Sequence, residues 1–173
     1  MEGTLAGPDV PLYSQAGYGW MKAFRKAKAE RPVSWTYPYG GASLKIHTVP
    51  KGESREILFC LGEKGGEEMG KSRWEPFVIW RDESGGDPAE HSADFVTVLE
   101  PYEGSPFIRS VKPLEPAGDP VRNQPGSSGI EIRYADGLHR DILVGSWNQE
   151  KASFHDSSGN AYETDARDRK SVV

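Results

Sequence analysis

The chemically richest stretch of the chain is one turn, in which Glu100, Tyr102 and Glu103 lie close together. Two carboxyl groups and a phenol are the residue types of a general acid and a general base. Pro101 and Pro106 restrict φ within and after the turn, which is also typical of a rigid corner between strands. The residues alone leave both interpretations open, and no nucleophile or ligand set beside them completes a catalytic constellation.

A second motif lies in a glycine-rich loop. Residues 65–72, GGEEMGKS, match the letters of a phosphate-binding P-loop. A P-loop needs a helix directly after its Ser, whereas the run that begins at Trp74 is typical of a strand. Glu67 and Glu68 would also repel phosphate. We therefore predict no nucleotide binding.

Metal ligation has little support in the sequence. Residues 82–94 are rich in Asp and Glu, whose oxygens suit Ca²⁺, but their spacing matches no calcium loop. Cys60 is the only cysteine, which excludes a disulfide framework and a cysteine metal site. We expect no metal or other cofactor in this chain. The histidines match no ligand-spacing motif; they are His47, His91, His139 and His155.

Aromatic and basic residues supply the candidates for binding. The run Arg25, Lys26 and Lys28 could contact an acidic sugar, although such a run is commonly a solvated strand edge. Exposed aromatic rings could stack on sugar faces, and packing within the fold is the ordinary alternative. The candidate substrate-binding residues are Trp20, Arg25, Tyr37, Tyr39 and Trp74, with Trp35 and Trp147 as further aromatic candidates.

These residues must be positioned by strands, because 20 Gly and 13 Pro punctuate short apolar runs. We predict an all-β fold, an antiparallel β-sandwich of roughly eight to ten strands with little helix. The predicted strands lie at residues 17–30 (leading into a basic loop), 33–39, 43–49, 56–61 (buried on both faces, with Cys60 in the core), 74–81, 95–99, 107–111, 130–134 and 142–144, with weaker ones at Phe154 and Tyr162 and a loop over 113–128.

Two local patterns refine this scheme. His47 and Lys45 alternate with Leu44 and Ile46, which predicts that His47 lies on a solvated or inter-strand face. The pair at 136–137, Asp-Gly, separates two strands; both residues tolerate positive φ, so we predict a tight hairpin. His139 and Arg140 follow that turn, and we expect both to be exposed.

Length and charge restrict the possible partners. A chain of 173 residues suits one domain. The net charge of −5 provides no basic field to replace phosphate counterions, so we predict no nucleic-acid partner. No apolar run is long enough to span a membrane, and the first residues lack the pattern of a signal peptide.

Several segments, in order, resemble the C-terminal β-sandwich region of heparinase II/III-like polysaccharide lyases. The resemblance covers roughly residues 8–167, and its most specific segment contains the Glu-Pro-Tyr turn. The matching segments are GYGWMKAFRKAKAERPVSWTY, ASLKIHTVP, LFCLGEKGGEE, ADFVTVLEPYEGSPFIRSVKPL and IEIRYADGLHRDILVGS.

The resemblance implies a parent enzyme that cleaves uronic-acid polysaccharides by β-elimination, in the periplasm of a bacterium or outside the cell. It places the catalytic residues on an N-terminal α/α toroid and near the start of the sandwich, with any structural metal there too. All these positions would precede Met1, so no catalytic residue carries over. The resemblance also favours the rigid corner for the Glu-Pro-Tyr turn, with Tyr102 packed on the sandwich edge.

The last six residues of the chain do not resemble that family. Residues 168–173, DRKSVV, read like the translation of a sequencing adapter followed by its stop. We expect an assembled environmental gene fragment, with a partial β-sandwich domain at 1–167 and a non-native tail at 168–173.

Three hypotheses for function follow. The first is a non-catalytic portion of a polysaccharide lyase, whose partners are the upstream toroid and an acidic polysaccharide. The alternative is a stand-alone carbohydrate-binding β-sandwich module. An autonomous enzyme is the third, and it has the least support, because paired carboxylates occur by chance in an acidic chain. The sequence leaves the localisation of this chain open.

Overall fold

The computed structural model describes residues 21–50, 55–64, 73–81, 95–117, 127–146, 151–164 and 169–172. Within these ranges every regular element is a β-strand, and the strands form four small antiparallel sheets. The predicted all-β, antiparallel fold is confirmed. The strands are β1 (Met21–Ala29), β2 (Val33–Tyr39), β3 (Ala42–Val49), β4 (Arg55–Lys64), β5 (Arg73–Arg81), β6 (Val96–Glu103), β7 (Ile108–Pro113), β8 (Glu115–Pro116), β9 (Ser127–Tyr134), β10 (Arg140–Ser146), β11 (Ala152–His155), β12 (Ala161–Thr164) and β13 (Arg169–Val172).

The chain divides into two compact units. Unit 1 comprises Met1–Glu30 and Glu53–Gly85, and unit 2 comprises Arg31–Gly52 and Gly86–Val173. In unit 1 the sheet order is β1-β4-β5. The central strand β4 was predicted to be buried on both faces, and Ile57, Leu58 and Cys60 are indeed buried. Cys60 lies in the core, with its Sγ 3.7 Å from the Sδ of Met21.

Strand β1 contains a β-bulge. Lys22 pairs with Leu61 and Arg25 pairs with Phe59, so β1 has one more residue than β4 between these pairs. Ala23 adopts a φ of 55°, in the left-handed region. Lys22 and Arg25 therefore point to the same side of the sheet, because their partners are two residues apart on β4.

The bulge also determines the core of unit 1. It allows Met21 and Phe24, three residues apart, to pack together with Cys60. Phe24 is completely buried. The basic residues that follow lie inside β1, so the prediction of a basic loop is wrong: the strand continues to Ala29, paired along its length with β4.

Unit 2 has a sandwich-like core between two sheets. The orders are β2-β3-β6 for one sheet and β13-β10-β9-β7 for the other. Side chains of both sheets meet in one apolar cluster, as in a β-sandwich. Its members are Val49, Ile108, Val111, Ile130 and Ile132, with Val96, Val98, Tyr134 and Leu143 packed against them. A second cluster joins the four-stranded sheet to the sheet β12-β11-β8, through Leu114, Ile142, Val144 and Phe154.

Residues 104–107, which follow the Glu-Pro-Tyr segment, connect the sheet β2-β3-β6 to the four-stranded sheet of unit 2. Strand β6 pairs with β3, whereas β7 pairs with β9, so the chain passes from one sheet to the other. The prediction of two strands around a turn is confirmed, but the predicted end of the first strand is wrong. Strand β6 continues through Pro101 to Glu103. A proline is tolerated there because β6 lies at the edge of its sheet.

The predicted hairpin is confirmed as β9 and β10, but its turn differs from the prediction. The strands are joined by residues 135–139, and only Gly137 has positive φ, at 74°. Asp136 instead accepts hydrogen bonds on Oδ1 from the backbone N–H groups of Leu138 (2.9 Å) and His139 (3.1 Å). Side-chain bonds of this kind, from a carboxyl group to the amides that follow it, stabilise the loop at 135–139 in place of a two-residue turn.

The described residues form thirteen strands, more than the eight to ten predicted, and two short strands fall where no strand was predicted. Strand β8 lies inside the predicted loop at 113–128, as does the start of β9. Strand β13 falls in the predicted non-native tail and pairs antiparallel with β10 between Asp141 and Val144. The weaker strands predicted at Phe154 and Tyr162 are confirmed as β11 and β12.

The bulge in β1 gives the first prediction. Ala23→Gly should raise the free energy of unfolding by about 1 kcal/mol, because glycine takes left-handed φ without the clash that a Cβ causes. Ala27→Gly, in the same strand without positive φ, is the control and should lower it by about 0.5–1 kcal/mol. Urea denaturation of the full chain measures both changes, and a similar loss in the two variants would contradict the strained bulge.

Candidate functional site

Glu100, one of the two carboxyl groups of the apparent acid/base cluster, is completely buried. Its Oε1 accepts hydrogen bonds from the backbone N–H groups of Phe107 at 2.5 Å and Ile108 at 2.6 Å. Its Oε2 lies 2.7 Å from Nε2 of His47. One carboxyl group thus ties β3, the end of β6 and the start of β7 together.

This arrangement makes Glu100 a structural residue. Both carboxyl oxygens have hydrogen-bond partners and the side chain is buried, so no surface of it is open to a substrate. Glu103, by contrast, is exposed. The apparent acid/base cluster is therefore divided between the interior and the surface, and the interpretation as a corner agrees with these contacts.

His47 was predicted to lie on a solvated or an inter-strand face, and it lies on the inter-strand face. It is 6% exposed and its partner is Glu100, 53 residues later in the chain. The alternation around His47 correctly showed that it faces away from Leu44 and Ile46, but it carried no information about this partner. Only the pairing of β3 with β6 places the two side chains together.

Arg25 and Trp74, two of the predicted binding residues, lie on one face of the sheet in unit 1. The register places Arg25 beside Phe59 and Lys22 beside Leu61. The ammonium group of Lys22 lies 3.5 Å from the ring centre of Trp74, a cation–π contact. We name Lys22, Arg25 and Trp74 the aromatic–basic face. Sequence reasoning missed Lys22, because only the bulge turns it toward Trp74.

Lys26, in the same basic run, has a different role. Its Nζ lies 3.1 Å from Oε1 of Glu56, and Arg81 binds the other oxygen of that carboxylate. Burial disfavours ionisation of Glu56, but the hydrogen bonds from Lys26 and Arg81 outweigh it and hold its pKa below the ordinary value. Lys26 therefore neutralises a buried acid.

The remaining predicted binding residues do not join this face in the described structure. Tyr37 is half-buried and Tyr39 is 86% exposed on β2, which belongs to unit 2. Trp35, on the same strand, is half-buried. Trp20 and Trp147 lie outside the described residues.

Metal and membrane features can be judged only for the described ranges. There, no group of three or more His, Cys, Asp or Glu side chains could hold a metal ion. The motifs at 65–72 and 82–94, and with them His91, lie outside those ranges. No described helix is long and apolar enough to cross a membrane.

Asp156 is a structural acid that sequence reasoning missed. Its Oδ1 accepts hydrogen bonds from the backbone N–H groups of Ser158 and Asn160, at 2.8 and 2.9 Å. Its Oδ2 accepts from Arg140 Nη1 and the Asn160 amide, both at 2.9 Å, and from the Tyr162 hydroxyl at 3.0 Å. The Asn160 amide, with the other donors, holds the pKa of Asp156 well below its usual range. Arg140, expected to be exposed, is therefore half-buried against Asp156.

His139 is exposed, as predicted, and forms an ion pair within its loop. Its Nδ1 lies 2.5 Å from Oδ2 of Asp136. This hydrogen bond raises the pKa of His139 and is the main reason that the pKa of Asp136 falls to about 2. The pair belongs to the solvated loop, so it acts locally on the hairpin turn.

No family model, curated protein or solved structure matches the chain.

Glu100 gives a prediction for stability. Glu100→Ala leaves the buried imidazole of His47 and two backbone N–H groups without their acceptor. It should lower the free energy of unfolding by about 3–5 kcal/mol. Glu100→Gln keeps one acceptor oxygen and should cost less. Urea denaturation measures the losses, with exposed Glu103→Ala as the control at about 0.5 kcal/mol or less. Equal effects of the two alanine variants would show that Glu100 does not secure the corner.

The His139–Asp136 pair gives a prediction for pH. The folded pKa of His139 should exceed 6.5, and Asp136→Asn should return it toward that value. The contact stabilises the loop fully below pH 6.5 and is lost as pH rises through the raised pKa of His139. In acid it persists below pH 3.8 and is lost as pH falls through about 2. An NMR titration of the His139 ring measures the shift, and a midpoint at or below 6.5 would contradict it.

Proposed function

We propose that this chain is the non-catalytic C-terminal β-sandwich portion of a heparinase II/III-like polysaccharide lyase. The parent enzyme would cleave uronic-acid polysaccharides by β-elimination, with its catalytic residues upstream on an α/α toroid. The parent would act in the bacterial periplasm or outside the cell. The observation that supports the non-catalytic role is the burial of Glu100, because this carboxyl group of the apparent acid/base cluster is bonded within a corner of the fold.

Two further observations support the proposal. The described parts of the segments that carry the resemblance form strands of an antiparallel all-β fold. The most specific of them contains the connection between the two larger sheets of unit 2. A segment with this role is constrained by the fold, which is consistent with its serving as a family signature without carrying chemistry.

The decisive experiment is to recover the DNA upstream of the first codon. We expect one continuous reading frame that encodes an α-helical toroid. A matched assay compares this chain with the extended protein on uronate polymers, following the ultraviolet absorbance of the unsaturated product. The extended protein should be active and the chain alone inactive. An upstream reading frame that encodes no helical domain would overturn the proposal. So would cleavage of a uronate polymer by the chain without the upstream domain.

A carbohydrate-binding module is the second candidate, and the aromatic–basic face favours it. A tryptophan beside two cations can stack on a sugar ring and pair with its carboxylate. Affinity electrophoresis of the full chain in gels containing a uronate polymer tests this function. Retardation should fall in Trp74→Ala and Arg25→Ala, and it should persist in the control Lys28→Ala, which removes an exposed charge from the same strand. A chain that migrates equally with and without polymer is not such a module.

A further inference from the structure

Unit 2 contains a cleft of about 410 Å³ at the tip of the β9–β10 hairpin, and none of its lining residues was predicted to bind substrate. Its volume lies within the range of small-molecule sites. Its polar lining consists of Arg109, Arg133, His139 and Arg140, and no carboxylate of the described residues lines it. A concave surface with three guanidinium groups and an imidazole is suited to an oxyanion.

A second β-bulge brings Arg109 into this cleft. On β7, Ile108 pairs with Tyr134 and Ser110 pairs with Arg133, so Arg109 is the extra residue between two consecutive pairs. Bulges commonly redirect a side chain beside a functional site. Arg109 is exposed, and within the described residues no ion pair neutralises it. It therefore supplies the excess positive charge of the cleft.

Arg133 supplies a donor that is already in position. Its Nη2 lies 2.9 Å from Oε1 of buried Glu131 and 3.3 Å from Oγ of Ser157, which fixes the guanidinium plane. Its Nε is buried and has no hydrogen-bond partner among the described residues. The side chain as a whole is 44% exposed, so an acceptor in the cleft would meet the terminal nitrogens of the guanidinium and not Nε.

Arg140 and His139 are held by acids outside the cleft. Arg140 Nη1 lies 2.9 Å from Asp156 Oδ2, and His139 is paired with Asp136. These acids neutralise much of the charge on their partners. The attraction for an anion therefore comes mainly from Arg109, and directional donation comes from Arg133.

One side of the cleft is apolar. The ring of Tyr134 lines it and is stacked with Phe107, with ring centres 6.3 Å apart and planes 10° from parallel. The Tyr134 hydroxyl donates to Asp141 at 2.8 Å, which orients the ring. Leu138 is 84% exposed on the loop above. A ring-shaped ligand could place its C–H face on this wall while its acidic group meets the arginines.

We propose that this cleft binds a sugar acid, with its carboxylate between Arg109 and Arg133 and its ring against Tyr134 and Leu138. The choice of a sugar acid among ring-borne oxyanions rests on the proposed function. The site is a non-catalytic contact, because the cleft offers donors and an apolar wall, and its only titratable base, His139, is already paired with Asp136.

The test is calorimetric titration of the full chain with glucuronate oligomers, with glucose oligomers of equal length and with inorganic sulfate. Glucuronate should bind, and the uncharged oligomer should not. Arg109→Ala should weaken glucuronate binding about tenfold, the effect expected for one lost charge-assisted hydrogen bond. Arg133→Lys should also weaken it, because lysine keeps the charge and loses the planar guanidinium, which can bind a carboxylate through two nitrogens. Lys112→Ala is the matched control: it removes an exposed charge from the same strand outside the cleft and should have little effect.

An NMR titration of the unmodified chain locates binding without relying on a variant. Glucuronate should shift the amide signals of Leu138 and His139 more than those of β1. Equal losses in Arg109→Ala and Lys112→Ala, or shifts confined to other surfaces, would overturn the inference. Binding of sulfate without glucuronate would overturn the sugar-acid assignment. None of these outcomes affects the proposed lyase parentage, which the upstream reading frame tests separately.

Discussion

A carboxyl group taken out of water needs hydrogen-bond partners, and Glu100 obtains them from the neighbouring strand of its own sheet and from the start of the next sheet. The ring of His47 comes from β3, and the two amides come from the start of β7. Because these donors converge on one side chain, they fix the position of the end of β6 relative to the start of β7. The sandwich-like core of unit 2 depends on this corner, since its apolar cluster draws on both sheets.

The same principle explains why the acidic residues of this chain look reactive in sequence and are structural in the fold. Asp156 closes the turn between β11 and β12 and orients Arg140. Glu131 orients Arg133, and Glu56 binds two cations in unit 1. Each buried acid is matched by several donors, as its desolvation requires.

Both candidate binding surfaces depend on β-bulges. The bulge in β1 turns Lys22 and Arg25 to one face, and the bulge in β7 delivers Arg109 to the cleft. A regular strand would place neighbouring side chains on alternate faces, so an extra residue is the simplest way to present a cation beside an aromatic ring.

The sequence by itself determined the strands and most turns. The alternation of apolar and polar residues is local, and it identified the all-β class, the β9–β10 hairpin and the buried run of β4. Only the tertiary structure decided which side chains meet. Glu100 and His47 are 53 residues apart, and the partners of Arg140 and Lys22 depend on strand register. Register and bulges are set by packing between distant segments, so a local pattern placed Arg25 and Trp74 on strands but not on one shared face.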